Sequence, residues 1–284
     1  MVFEHFNSRA LDFDINNALA MAYAAELAYP KSKDESAQEW RDRARATLDG
    51  WGFHDVHFFD AMGTQAYLAG NEDKQLLSFR GTEMKIADIK TDLNYELIGG
   101  PLCGKVHEGF LLALLAIWAG PNGLGRVLKQ EREERRAKTG AAPALWVTGH
   151  SLGAALATMA AAKLAEQDLP VWGVYTFGSP RVGDAQFCAC YDGILKDRTY
   201  RVLNNNDIVG RVPLRSQGYR HVGRYFYLKE SGVCVEDPSS WMVWLDMAWG
   251  RALDLGELGT DGVKDHKMNS GADGYIPALL KSVA

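Results

Sequence analysis

The chain has 284 residues, of which 47% are hydrophobic, and a formal net charge of −5. That is enough apolar material for one large α/β domain or two small ones. The mild acidity, with no basic block anywhere, excludes a nucleic-acid binder.

In chain order, Ala18 to Tyr29 is Ala-rich and closed by Pro30, which predicts a helix. HFFDAMGTQAYLAGNEDKQLLSFRGT (57–82) predicts three strands turned at Gly63-Thr64 and Gly70-Asn71. Glu108 to Gly120 is so apolar that it must be a largely buried helix. A charged helix follows from Leu124 to Lys138, then a loop from Thr139 to Pro143. Its run Lys129 to Arg136 (KQEREERR) mixes signs at helical spacing and reads as a solvated face. Leu145-Trp146-Val147-Thr148 is a short buried strand, and Gly153 to Ala165 is an Ala-rich helix. Further strands fall in VWGVYTF (171–177), TYRVLNNND (199–207) and YRHVGRYFYLK (219–229). Strands alternating with helices predict an α/β fold. Its central sheet is mostly parallel, with helices on both faces and antiparallel strands at one edge. No repeat, linker or boundary interrupts it, so residues 1–284 are expected to form a single domain.

Cys103, Cys188, Cys190 and Cys234 make no C-x-x-C pair and sit in no histidine cluster. Structural thiols are the default, with one disulfide left open. The opening MVFEHFNSRALDFDINN lacks the basic start and apolar run of a signal peptide, and no transmembrane span is visible. This reads as a cytoplasmic or membrane-peripheral protein, with export by a signal-less route left open.

The chemistry centres on Gly149-His150-Ser151-Leu152-Gly153. A bare G-x-S-x-G arises by chance in roughly one chain in ten of this length, so context decides. Here a buried strand precedes it and a helix follows whose first turns are small: Gly153, Ala154, Ala155, Ala157, Thr158. Small residues let that helix start lie close to the sheet, as a nucleophile elbow requires. A serine hydroxyl then needs a base, and the base an orienting acid, in the chain order Ser, Asp or Glu, His. Only His221 and His266 lie downstream. His266, in the polar loop GTDGVKDHKMNSG, suits a base better than His221, which begins a strand. Asp207 leaves the end of the strand YRVL and is the favoured acid, with Asp184 as its rival. For the developing oxyanion, the N–H of Leu152 is one donor, and Thr82, at the strand exit Arg80-Gly81-Thr82, offers the second.

LLSFRGT, VHEGF, VTGHSLGAALA, VYTFGSPRVGD, NNNDIVGRVP, YRHVG and DHKM occur in this order. Together they resemble the class 3 lipases, the family of the filamentous-fungal triacylglycerol lipases, from about Ala18 to Met268. The resemblance implies an α/β-hydrolase fold and carboxylic-ester hydrolysis through an acyl-enzyme, without metal or organic cofactor. It maps Ser151 as nucleophile, Asp207 as acid, His266 as base, and Thr82 and Leu152 as the oxyanion hole. It makes His221 and Asp184 structural. The implied substrate is an acylglycerol or similar lipid ester, met by transient contact with a lipid–water interface. A phospholipase A1, a feruloyl or other small-ester esterase, and a non-catalytic lipase-like binding protein are the rival readings.

In this family the segment after the oxyanion strand often forms a lid, here Glu83 to Gly100, with Asp92 where a carboxylate often buttresses the oxyanion threonine; a helix packed on the core is the alternative reading of this segment. One segment departs from the compact fungal pattern: Asp237 to Gly259, with Trp241, Trp244 and Trp249. It reads as a helix packed on the core or as a second flap at the acyl site.

Overall fold

The computed structural model describes residues 2–81, 96–239, 264–269 and 274–283. The candidate lid up to residue 95, the expected oxyanion donor Thr82 and the tryptophan segment from 240 onward therefore lie outside the described residues.

The N-terminal helix α1 (Ile15–Leu27) starts where Asp14 accepts the Asn17 N–H and stops ahead of Pro30. Ala18, Ala20, Met21, Ala22, Ala24 and Ala25 are all fully buried. Such small side chains let the helix lie flat on the sheet. Two of its carbonyls also accept hydroxyls from the sheet: Ala24 from Tyr67 and Ser78, Met21 from Thr148. A second helix, α2 (Ala37–Gly50), opens on a full capping box between Ser36 and Glu39.

Three antiparallel strands follow, β1 (Asp55–Ala61), β2 (Thr64–Gly70) and β3 (Lys74–Phe79). The first turn places Met62 and Gly63 at positive φ, the backbone of a two-residue hairpin. A small hairpin, β4 (Leu97–Gly99) with β5 (Lys105–His107), leads into the apolar helix α3 (Glu108–Trp118) and the charged helix α4 (Leu124–Thr139). Then come β6 (Ala144–His150), α5 (Leu152–Glu166), β7 (Gly173–Phe177), α6 (Ala185–Leu195), β8 (Thr199–Asn204), β9 (Arg224–Leu228), β10 (Cys234–Glu236) and the C-terminal helix α7 (Tyr275–Val283).

Eight of these strands form one sheet, ordered β1-β2-β3-β6-β7-β8-β9-β10. Pairing is parallel from β3 through β9 and antiparallel at both edges. The expected α/β-hydrolase arrangement is thus present, with a second antiparallel edge at β10. Alternate residues feed two cores. On β6, Leu145 and Val147 pack with α3, α4, α5 and α6, while Ala144 and Trp146 pack with α1, α2 and α7. A strand buried on both faces reads as a continuous apolar run, which is why Leu145 to Val147 was legible.

Three sequence expectations need correction. The run Lys129 to Arg136 is not wholly solvated: Arg132 and Arg135 turn inward and are buried. Arg135 bridges Asp55 and Glu131, and Arg132 donates to the Pro143 carbonyl. The strand expected to contain His221 begins only at Arg224, and His221 sits in the loop before it, bonded to the Gly210 carbonyl. Finally, Cys103 and Cys190 form a disulfide that ties the β4–β5 hairpin to α6. Cys188 and Cys234 remain thiols, pushed up to about 12 and about 11 by burial, far from the thiolate range.

The disulfide closes a separation of 87 residues. Cys190→Ser is expected to lower stability by about 2–5 kcal/mol. Urea unfolding of the variant, and of the wild type with and without reductant, measures this. A midpoint indifferent to both changes would refute it. Among the described residues no helix is long and apolar enough to cross a membrane.

Candidate active site

Ser151 occupies the turn from β6 to α5 with φ 58° and ψ −127°. This backbone region is avoided by side-chain-bearing residues and costs about 1–3 kcal/mol. The flanking glycines make the turn feasible. A Cβ on Gly149 would lie 2.2 Å from the Gly153 carbonyl oxygen, and one on Gly153 would lie 2.3 Å from that of Phe79. The Ser151 N–H is tied to the Phe177 carbonyl at 2.9 Å, which anchors the elbow on β7.

Three of the sequence-predicted residues meet there. Ser151 Oγ is 2.9 Å from His266 Nε2, and His266 Nδ1 lies 3.0 and 2.9 Å from Asp207 Oδ1 and Oδ2. All three are buried, Asp207 completely. Burial opposes the charge on Asp207. His266 beside it, the Tyr275 hydroxyl and the Val209 N–H outweigh that penalty and hold its carboxyl below the usual range. Leu152 opens α5, so its N–H belongs to the first turn, which has no intrahelical acceptor. The other proposed oxyanion donor, Thr82, is outside the described residues, but its approach is visible. Gly81 sits so close to the elbow that a Cβ would meet the Tyr29 hydroxyl at 2.1 Å and the His150 carbonyl at 2.5 Å. The rivals stand apart: Asp184 caps α6 by accepting the Phe187 N–H, and His221 is engaged by Gly210.

Several residues in this site escape a sequence reading. NNND (204–207) looks like a solvated loop, yet all four side chains are buried. Asn204 Nδ2 donates to the Asp265 carbonyl, and the Asn206 N–H to the Asp265 carboxylate. These bonds clamp the loop of Asp207 to the loop of His266. Tyr275, at the start of α7, donates to Asp207 at 2.5 Å and accepts from the Asn204 N–H. No local pattern marks a lone tyrosine for this work. His150 touches His266 from the other side, its ring 4.5 Å away.

His150 and His107 are both buried, and burial drives their pKa down to about 3 and about 4. In the unfolded chain both titrate near 6.5. Their contribution is therefore complete above that value and is lost as pH falls through it toward 4. Each adds about 1.4 kcal/mol per pH unit to the slope. Denaturation midpoints measured across this window are expected to fall steeply, and His107→Gln to flatten the fall. An unchanged slope in that variant would contradict the assignment for His107.

The arrangement has known relatives. Residues 76–217 match the family model described as Lipase (class 3). A secreted mono- and diacylglycerol lipase of Fusarium solani is 34% identical over 173 residues, covering 58% of this chain and 48% of that protein. A triacylglycerol lipase of Arabidopsis thaliana is 29% identical over 254 residues, covering 70% and 46%. The chain thus spans about half the length of these curated relatives. Among solved structures, lipase II from Rhizopus niveus superposes with a TM-score of 0.58 at 23% identity, covering 75% of this chain and 80% of that one. The triacylglyceride lipase of Rhizomucor miehei gives 0.60 at 23%, covering 78% and 83%. At such identity these structures speak for the fold. The match of the family model across β3, the elbow and the loop of Asp207 goes further: this chain belongs to the class 3 lipase family.

Proposed function

We propose that residues 1–284 act as one lipase-type carboxylic-ester hydrolase domain that cleaves acylglycerols or similar lipid esters. The observation that carries this reading is the continuous path Ser151 Oγ, His266, Asp207, held at hydrogen-bond distances on an elbow in a buried site.

In the proposed reaction, His266 Nε2 takes the Ser151 proton as Oγ attacks the ester carbonyl carbon. The carbonyl electron pair moves onto oxygen, where the N–H of Leu152 and a donor from Thr82 receive it. Collapse expels the alcohol, which leaves with the proton from His266. Water then attacks the acyl-enzyme with the same base, and the acid departs. Asp207 stays ionised throughout and steadies the imidazolium. The names of the relatives point to acylglycerols as substrates.

A chain-length series of p-nitrophenyl esters, with triglyceride and phospholipid emulsions, tests the reading. Hydrolysis of glyceride emulsions with labelling of Ser151 by a fluorophosphonate is expected. Preference for phospholipid would redirect it to a phospholipase A1, and preference for short or aromatic esters to a small-ester esterase. No turnover and no labelling would leave a non-catalytic binding protein.

We also propose that the chain works in an oxidising compartment or outside the cell. The Cys103–Cys190 bridge supports this over the cytoplasmic expectation, since reducing cytosol keeps such thiols apart. Thiol titration of protein purified from its native source is expected to count two free cysteines. Four would return it to the cytoplasm.

A further inference from the structure

Within the elbow, His150 makes two specific bonds. Its Nε2 lies 2.5 Å from the carbonyl oxygen of His266, a residue 116 positions away in the chain. Its Nδ1 lies 2.9 Å from the hydroxyl of Tyr29. A carbonyl oxygen only accepts, so Nε2 must carry the proton. Nδ1 then presents its lone pair, and Tyr29 must donate to it. The two partners together select one tautomer of a neutral ring, and burial with His266 alongside keeps that ring neutral.

This contact bears on the geometry of the base. The side chain of His266 is held at Nδ1 by Asp207, and its loop is held on one flank by the Asn204 and Asn206 bonds to Asp265. Those contacts tie the base to the acid. The His150 bond ties the backbone of the base directly to the residue preceding the nucleophile. Tyr29 extends the tie, because its hydroxyl also lies against Gly81, next to the oxyanion position. One imidazole and one phenol thus connect the nucleophile elbow, the base loop and the exit of β3.

We propose that His150 is a positioning residue: its Nε2–H carries the backbone of His266 and so sets the reach of His266 Nε2 to Ser151 Oγ. Tyr29 supports it by fixing the tautomer. This rests on the proposed triad. It explains why the ring belongs beside the nucleophile although its nitrogens bond to the His266 carbonyl and to Tyr29 rather than to Ser151 Oγ. During acyl transfer His266 becomes a cation, and a neutral neighbour at 4.5 Å avoids like-charge repulsion.

The test uses the full chain, a soluble p-nitrophenyl ester and three variants. His150→Phe keeps a flat ring but deletes the donor. It is expected to lower kcat by about a hundredfold, the scale of a small misplacement of a reacting group, with KM changed by no more than about twofold. In His150→Gln the side-chain amide nitrogen reaches the place of Nε2, and this variant is expected to recover to within about tenfold of wild type. The low-field proton resonance of the His266–Asp207 bond is expected to broaden in His150→Phe and to sharpen again in His150→Gln. Tyr29→Phe, a milder change, is expected to cost about three- to tenfold in kcat and serves if His150→Phe does not fold.

Wild-type kcat in folded His150→Phe would overturn the proposal. So would equal losses in His150→Phe and His150→Gln, which would mark a packing effect. If His150→Phe does not fold, wild-type kcat in Tyr29→Phe overturns it as well. Ser151→Ala separates the two levels. Turnover surviving in Ser151→Ala removes the triad itself, whereas a dead Ser151→Ala beside an unimpaired His150→Phe removes only the role of His150.

Discussion

Replacing Ser151 with alanine is expected to lower kcat on a soluble p-nitrophenyl ester by about a millionfold, the scale seen when a serine hydrolase loses its nucleophile. Alanine lacks the oxygen that would attack the carbonyl, and among the described residues no neighbouring side chain stands in its place. His266 Nε2 points at Ser151 Oγ alone among the described hydroxyls. The fold should tolerate the change. Alanine is smaller than serine, the strained φ of 58° is imposed by β6, α5 and the glycines around them, and among the described residues Oγ bonds only to His266. Thermal unfolding within a few degrees of wild type, together with loss of turnover and of fluorophosphonate labelling, is the expected pattern. Activity within tenfold of wild type would end the nucleophile assignment.

Asp207→Asn is expected to lower kcat by about ten-thousandfold, because it reverses a proton rather than removing an atom. The carboxylate accepts at both oxygens, from His266 Nδ1, Tyr275 and the Val209 N–H. Val209 donates to Oδ1 and Tyr275 to Oδ2, so an amide keeps its one acceptor oxygen for the fixed Val209 N–H only by placing its NH2 group at the other position, facing His266 Nδ1 and the Tyr275 hydroxyl. That ring nitrogen must then accept, so the proton moves to Nε2, which faces Ser151 and can no longer take a proton from it. The fully buried position leaves no room for the amide to escape into water. Parallel kinetics and a structure-sensitive unfolding curve check the prediction. A loss smaller than tenfold would show that His266 takes its tautomer from elsewhere.

Much of the fold was legible because its signals are local. β6 is apolar on both faces, α1 and α5 are strings of alanine, and the turns at Gly63 and Gly70 stand where the chain must reverse. Helices α2, α6 and α7 have no counterpart in the sequence expectations, although the first two carry a mark. Ser36 and Glu39 form the capping box of α2, and Asp184 caps α6. Asp184 is a rival acid by its place after β7, yet its carboxylate caps a helix start. Arg132 and Arg135 misled for a different reason. A mixed-sign helix reads as solvated until an edge strand bearing Asp55 is packed beside it.

For the candidate site, chain order and strand ends single out Ser151, Asp207 and His266, and the fold brings these three side chains within hydrogen-bond distance. The supports around them had no such rule. Asn204, Asn206 and Asp265 look like surface polar residues, Tyr275 like a helix-start aromatic, and His150 like filler inside a motif. Each earns its place through a partner about 60 to more than 100 residues away in the chain. The same holds for Cys103 and Cys190, whose pairing depends on the hairpin β4–β5 lying against α6. Periodicity, glycine spacing and residue type are properties of a few consecutive residues, so they place the sheet, the elbow and the order of the reacting groups. Burial, tautomer and hydrogen-bond partner are properties of a packed neighbourhood. Only the folded chain decides which polar groups leave water together, and so which of them hold His266 at reach of Ser151.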